Sequence, residues 1–363
     1  MHRLTHKNMI ETQLIQIEKT KRSRLPETDL EQLEFGKTFS DHMLIMDYRD
    51  GKWSSPKIEP YRNLSISPAS SVIHYGQSIF EGMKAFKNKE GRYGLFRPDK
   101  NIERMNRSAV RMCMPTIPEN VFMDGLCELV RLDNQWIPTG EMASLYIRPF
   151  LFAIDEYIGV KASKDYRFMI ITSPVNAYYT KPVSVKVERK YTRAVKGGTG
   201  FAKAAGNYAG SLYPARLANE QGYDQLLWTD ATEHEYIEES GTMNVMFVIE
   251  DRLITPALSE TILDGVTRRS TLQVAKDWGL QVEERRISVN EIVEAHRSGT
   301  LSEAFGCGTA ATIAHIRAIA DGDNMMELPP IEERKLGNKL MKYFTDLKKF
   351  RTDDKHGWMI ELS

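Results

Sequence analysis

Apolar residues in this chain gather mostly in short alternating runs, and those runs do not alternate regularly with helical segments. Val183, Val185 and Val187 alternate with Ser184 and Lys186 in the run Val183–Tyr191. The runs Ala143–Phe152 and Tyr166–Thr172 are rich in β-branched and aromatic residues, and further strands are expected near 225–229 and 242–249. Met43, Leu44, Ile45, Met46 and Tyr48 predict a buried strand within Thr38–Trp53, turning at Asp50-Gly51. Helical spacing is confined to a few places. Ile102, Met105, Ala109 and Met112 share one face of a helix over 98–112, and others are expected over 118–132 and 264–278, the last closed by Gly279. Ser288 and Glu291, three apart ahead of an apolar-periodic stretch, form a capping box. Residues 1–34 read as a solvated leader, part of it helical. The pattern is α+β with antiparallel strands, and it excludes a doubly wound parallel sheet.

A chain of 363 residues exceeds what one core usually organises, which favours two domains. The texture changes after Pro174: Asn176 to Pro182 has mixed polarity and no period, as an interdomain loop would. Charge narrows the partners. Lys plus Arg (49) equals Asp plus Glu (49), so no net field favours nucleic acid or an anionic membrane. Three scattered cysteines, Cys113, Cys127 and Cys307, suit neither a disulfide framework nor a zinc site, and no metal is expected. The absence of a long apolar run or secretion signal makes the cytoplasm the expected location.

Four segments carry chemistry. In Gly197-Gly198-Thr199-Gly200-Phe201-Ala202-Lys203-Ala204, small residues bracket a lysine. Tight apolar surroundings favour the neutral amine needed for imine chemistry, although a glycine turn with an exposed lysine fits the segment equally well. Glu239 precedes the apolar strand Val245–Ile249, where a carboxylate is either a solvated loop residue or the buried partner of a cation. Asp264 is placed to cap a helix whose first N–H groups would form an anion site. Phe305-Gly306-Cys307-Gly308-Thr309-Ala310-Ala311 permits either close backbone approach to a ligand or a plain tight turn.

Together, and in this order, the segments resemble the fold-type IV pyridoxal-phosphate enzymes. Fuller strings are similar to the branched-chain aminotransferases of that class: Phe39-Ser40-Asp41-His42-Met43, His74-Tyr75-Gly76, Phe80-Glu81-Gly82-Met83-Lys84-Ala85-Phe86, Ser144-Leu145-Tyr146-Ile147-Arg148-Pro149, Gly206-Asn207-Tyr208 and Gly241-Thr242-Met243-Asn244. The similarity runs from about Phe35 to Trp358. It implies a smaller N-terminal α/β domain over 1–178, a connecting loop and strand over 179–190, and a larger domain over 191–363 with a mostly antiparallel, barrel-like sheet. It also implies a homodimer with the active site near the subunit boundary.

By the same resemblance Lys203 binds pyridoxal phosphate covalently and then moves the proton between Cα and the cofactor, first nucleophile and then base. Glu239 pairs with the pyridine nitrogen and Tyr208 with the ring hydroxyl. Arg104, the N–H groups of Val266 and Thr267, and Thr309 hold the phosphate, with Leu263, Thr242 and Arg193 also near the cofactor. Thr309 and Ala310 receive the substrate α-carboxylate. Phe39, Tyr75, Phe80, Tyr146 and Tyr178 wall the side-chain pocket, and Arg148 serves glutamate's distal carboxylate. The reaction implied is amino-group exchange between leucine, isoleucine or valine and 2-oxoglutarate. A D-amino-acid aminotransferase and an aminodeoxychorismate lyase share the scaffold and are the alternatives. One departure stands out: where some animal members carry a Cys-x-x-Cys redox pair, this chain has Ala311 and Ala314, so no such switch is expected, and Cys307 reads as a buried filler.

Overall fold

The structure, a computed structural model, describes residues 14–176 and 181–363. Its strands form two sheets. The first has ten strands, and eight of them run in the order 16–17, 57–60, 42–49, 166–175, 144–153, 83–87, 93–96 and 359–361. Nearly all its pairings are antiparallel, as in the long ladder from Ser144↔Val175 to Ala153↔Tyr166. Helices Pro98–Arg111 and Glu119–Leu132 supply Ile102, Met105, Ala109, Phe122, Leu126 and Leu129 to a core with Leu44, Leu145, Ile147, Phe168 and Ile170 from the sheet. Both helices lie within a residue of the expected spans, because each carries a full apolar stripe.

The second sheet has nine strands, and six of them close a ring: Ile237–Ser240, Gln225–Thr229, Val183–Glu188, Thr312–Asp321, Leu301–Gly308 and Met243–Ile249, which pairs back with the first. Four of the six junctions are antiparallel, as expected for a barrel-like sheet; Val183–Glu188 is parallel to both its neighbours. Strand Met243–Ile249 is buried on both faces and alternates between cores. Val245, Phe247 and Ile249 point into one cluster with Val183, Val185, Val187 and Ile292, while Met246 and Val248 point into another. That second cluster is shared with helices Val266–Asp277 and Leu336–Lys348, with Phe86 and Phe96 of the first sheet, and with Trp358.

Two expectations need correction, and one helix went unforeseen. Residues 14–34, the described part of the expected leader, contain no α-helix; residues 1–13 lie outside the described residues. Gln16–Ile17 is a short strand parallel to Lys57–Ile58, and a 3-10 turn follows at Leu25–Glu27, where Pro26 stands at the start. The segment around Phe305 is strand through Gly308, and the turn begins only at Thr309. Gly306 lets that strand pack closely on Met243, whose Cε would lie 2.6 Å from a Cβ there. Finally, helix Ala205–Glu220 lacks any sequence periodicity, because Gly206, Gly210 and Pro214 interrupt it. Packing of Ala218 against Leu226 and Trp228 holds it in place. Among the described residues, no helix is long and apolar enough to cross a membrane.

Candidate active site

Lys203 stands between the glycine-rich turn and helix Ala205–Glu220, and its backbone is stitched to the first sheet. Its N–H donates to Ser108 Oγ at 2.9 Å, and its carbonyl accepts from the Phe80 N–H at 3.1 Å. Asn207 braces the turn from the other side: Nδ2 donates to the carbonyls of Thr199 and Ala202 at 2.8 and 2.9 Å. Gly200 is required where chains meet, since an added Cβ would lie 2.5 Å from Ala194 Cβ and 2.8 Å from Thr261 Cα. The turn thereby aims Lys203 Nζ at the Tyr208 hydroxyl, 2.8 Å away, with the Phe80 ring centroid at 4.9 Å.

Glu239 is buried at the end of strand Ile237–Ser240. One oxygen accepts from the Leu263 N–H at 2.7 Å, and the other lies 3.3 Å from Arg193 Nε. Burial pushes its carboxyl above the usual range, more than Arg193 and the Leu263 N–H pull it down. Arg193 does not line the cavity. Its guanidinium donates to the carbonyls of Gly200 and Thr261, so it braces Glu239 and the lysine turn from behind.

Helix Val266–Asp277 starts beside the cavity, but without the cap expected for it. Gly265 is the N-cap and offers no side chain, leaving the first N–H groups of the helix free to point outward. Asp264 is drawn off by Arg269 Nε at 2.7 Å and Arg107 at 3.3 Å. A Cβ on Gly265 would sit 2.0 Å from Asn244 Oδ1, whose Nδ2 anchors the Leu263 carbonyl at 2.9 Å.

Arg104 reaches this corner from helix Pro98–Arg111 in the grip of Glu81. Nε and Nη2 donate to its two oxygens at 2.7 and 2.8 Å, and Nη1 donates to the Asp264 carbonyl at 2.9 Å. Three contacts leave about two of the guanidinium's five N–H donors for a ligand. Burial works against the ionised Glu81, yet Arg104's charge and hydrogen bonds outweigh it, so the carboxyl titrates below its usual range. Sequence reasoning assigned Glu81 no role, although an acid inside the apolar run Ile79–Phe86 was a signal of a buried charge pair.

These groups converge on one cavity of about 680 Å³ between the two sheets. Of the residues expected at the site, Lys203, Arg104, Tyr208, Glu239, Thr242, Leu263, Val266, Thr267, Thr309, Ala310, Phe80, Tyr146 and Arg148 line it. Arg148 stacks between Phe80 and Tyr146, with its carbon Cζ 4.6 and 5.3 Å from their ring centroids, and its Nε is buried without a partner. Besides Arg193, two expected residues do not line it. Phe39 stacks on Tyr61 at 5.0 Å, and Tyr75 is exposed beside His74. Tyr178 lies outside the described residues. In place of Phe39 the cavity receives Phe35, edge-on to Tyr146 at 5.0 Å. The two phenylalanines sit four apart in a segment without period, so nothing local distinguished them. Cys307 is buried as expected, and burial pushes its thiol up to about 12.

Comparison with known proteins bears on this site. The family described as amino-transferase class IV matches residues 78–319. The chain is 46% identical over 355 residues to branched-chain-amino-acid aminotransferase 2 of Bacillus subtilis, covering 97% of this chain and 98% of that one. It is 41% identical to the branched-chain-amino-acid aminotransferase of Mycolicibacterium smegmatis, covering 91% and 92% of the two chains. A branched-chain amino acid aminotransferase structure from Escherichia coli superposes with TM-score 0.71 at 25% identity, over 89% of this chain and 99% of that one. A branched-chain aminotransferase from Thermoproteus uzoniensis, determined with norvaline, shares the fold with TM-score 0.74 at 24% identity, over 89% and 100%.

Proposed function

This chain belongs to the class IV amino-transferases, and from that premise we propose that it uses pyridoxal phosphate to exchange amino groups between branched-chain L-amino acids and 2-oxoglutarate. The observation that carries this reading is the convergence of the Lys203 amine, the buried Glu239 carboxylate and an uncapped helix N-terminus on one cavity. The residues fit the cofactor. Glu239 is a buried carboxylate short of positive charge, which a protonated pyridine nitrogen supplies. The N–H groups of Val266 and Thr267, the Thr309 hydroxyl and the remaining Arg104 donors suit a phosphate dianion.

When bound, pyridoxal phosphate supplies an electron-withdrawing ring that accepts the electron pair left when Cα loses its proton. The protein's own groups do the rest. Lys203 would hold the cofactor, and its free amine would take the proton from Cα as a general base. The Tyr208 hydroxyl, 2.8 Å from Nζ, orients that amine. Glu239 would pair with the ring nitrogen and keep it protonated. Phe35, Phe80, Tyr146, Phe150 and Ile171 offer an apolar wall, and burying a leucine side chain there is worth about 1.5–3 kcal/mol. The unpartnered Arg148 Nε is suited to glutamate's second carboxylate.

A homodimer is part of the reading. Ile73, Tyr75, Tyr157, Ile158 and Val160 are exposed apolar residues on two segments joined by the Ser70↔Glu156 bridge, a patch of the kind a second subunit covers. A cytoplasmic location completes it.

The test is the absorption spectrum of the purified protein, followed by addition of L-leucine and 2-oxoglutarate with and without Lys203→Ala. Bleaching of a cofactor band by L-leucine, with glutamate formed by the parent chain and not the variant, is expected. A band that answers only to D-alanine or aminodeoxychorismate overturns the substrate, and no band after adding pyridoxal phosphate overturns the cofactor.

A further inference from the structure

Behind the helix N-terminus and the Thr309 turn lies a feature that the reaction does not use: a small cavity of about 20 Å³, lined by Lys84, Asn101, Val266, Thr267, Thr309 and Lys348 among others. The two lysines are almost wholly buried, at 7% and 6% exposure, and neither has an ion-pair partner among the described residues. Lys84, on strand Met83–Lys87, donates from Nζ to the Ala310 carbonyl at 2.7 Å. Lys348, at the end of helix Leu336–Lys348, donates to Thr312 Oγ1 at 2.8 Å. Thr312 itself has a φ of +65°, a left-handed conformation that a β-branched residue adopts only when held. Two ammonium groups from different elements thus clamp the two ends of the turn that presents Thr309 and Ala310 to the main cavity. Around Lys348 Nζ the ring centroids of Phe86, Phe96 and Phe344 lie 5.3, 5.0 and 5.4 Å away, an environment that stabilises a cation without neutralising it.

We infer that Lys84 and Lys348 are positioning residues and the buried counter-charge of the phosphate cradle, fixing the Thr309–Thr312 turn while supplying positive potential to an anion bound in front of it. Two buried like charges without carboxylates are unfavourable unless an anion completes the set, and the cradle is where one arrives. The inference rests on the proposed placement of the phosphate. Other charged groups nearby are Lys349, which caps the end of helix Leu336–Lys348, Glu141 ahead of strand Ser144–Ala153, and Arg351. Glu141 is engaged by Arg351 at 2.6 Å. Burial brings Lys84 down to about 8 and Lys348 down to about 7, with repulsion from Lys349 and Lys84 respectively adding to it. Both therefore lose charge across the neutral range when the cradle is empty, and a bound anion favours their protonated forms. Anion affinity must fall as pH rises.

The experiment compares pyridoxal phosphate with pyridoxal, which lacks the phosphate, by fluorescence titration of the full chain freed of cofactor. The ratio of the two affinities, and above all its change with pH and between variants, reports the phosphate contribution. Over about pH 7 to 9, where the phosphate monoester is already a dianion, the ratio is expected to fall about ten-fold in the parent chain. Lys348→Met lowers the ratio at pH 7 and flattens its pH dependence. Lys348→Arg, permanently charged, keeps the ratio high at both ends. A ratio that does not change with pH in the parent chain overturns the inference without recourse to any variant, as does a Lys348→Met profile equal to the parent's. Failure of pyridoxal phosphate to bind at all overturns the cofactor assignment together with it.

Discussion

Glu239 and Glu81 are both buried carboxylates at the edge of one cavity, and their environments push them in opposite directions. Glu81 holds a bidentate arginine and titrates low; Glu239 has only the offset contact to Arg193 and one N–H, and titrates high. The difference separates a structural acid from one that waits for a cation. Because the folded carboxyl of Glu239 lies above its unfolded value of 4.5, the folded state binds more protons there, and stability of the cofactor-free protein falls as pH rises from 4.5 towards the folded value. Glu239→Gln removes that cost. At pH 8 the cofactor-free variant is expected to melt at the same temperature as the parent or higher, while kcat drops by about 100-fold or more through loss of the ring-nitrogen partner. Thermal melts beside steady-state rates check both halves; a variant that is less stable and fully active contradicts the assignment.

At the scale of elements, the site depends on where helices and strands end. Helix Val266–Asp277 is capped by Gly265, where an added Cβ would lie 2.0 Å from Asn244 Oδ1 on strand Met243–Ile249. Side chains are excluded there, so the helix N-terminus is presented bare. Gly265→Ala is expected to force strand and helix apart, costing about 1–3 kcal/mol in stability. It should also weaken pyridoxal phosphate binding more than pyridoxal binding, since the displaced groups are those of the phosphate end. Denaturant unfolding and the same two titrations read these effects; equal loss for both ligands would place the damage elsewhere.

For the molecule as a whole, the two sheets are not independent bodies. The chain leaves the first sheet, builds the second, and returns: Met359–Glu361 pairs with Tyr93–Phe96 at the edge of the first. Trp358, just before that strand, lies in one cluster with Phe96 of the first sheet, Met246 and Phe305 of the second, and Phe344 of the last helix. Lys203 and Lys84 cross the same seam through Phe80 and Ala310. Trp358→Ala is therefore expected to cost about 3–5 kcal/mol and to lower the melting of both sheets in one transition, with circular dichroism and tryptophan fluorescence coincident. Separate transitions would show that the sheets unfold independently.

The sequence by itself determined those features whose cause is local. Apolar period placed helices Pro98–Arg111 and Glu119–Leu132 within a residue, and alternation found strand Val183–Glu188 with its valines facing the core. Ser288 accepts the Glu291 N–H as the capping box required. Residue chemistry singled out Lys203 and Glu239 as candidates and the family resemblance added Tyr208; all three line the cavity. Only the tertiary structure decided which side chains face the shared space: Phe35 rather than Phe39, Arg193 behind Glu239 rather than in the cavity, Asp264 paired with arginines rather than capping a helix. Glu81 with Arg104, and Lys84 with Lys348, are separated by long stretches of chain and meet only after the sheets form. The physical reason is one of range. Periodicity, caps and turn chemistry act over a few residues, whereas burial, charge compensation and the walls of a cavity are set by whatever distant segment the fold brings alongside.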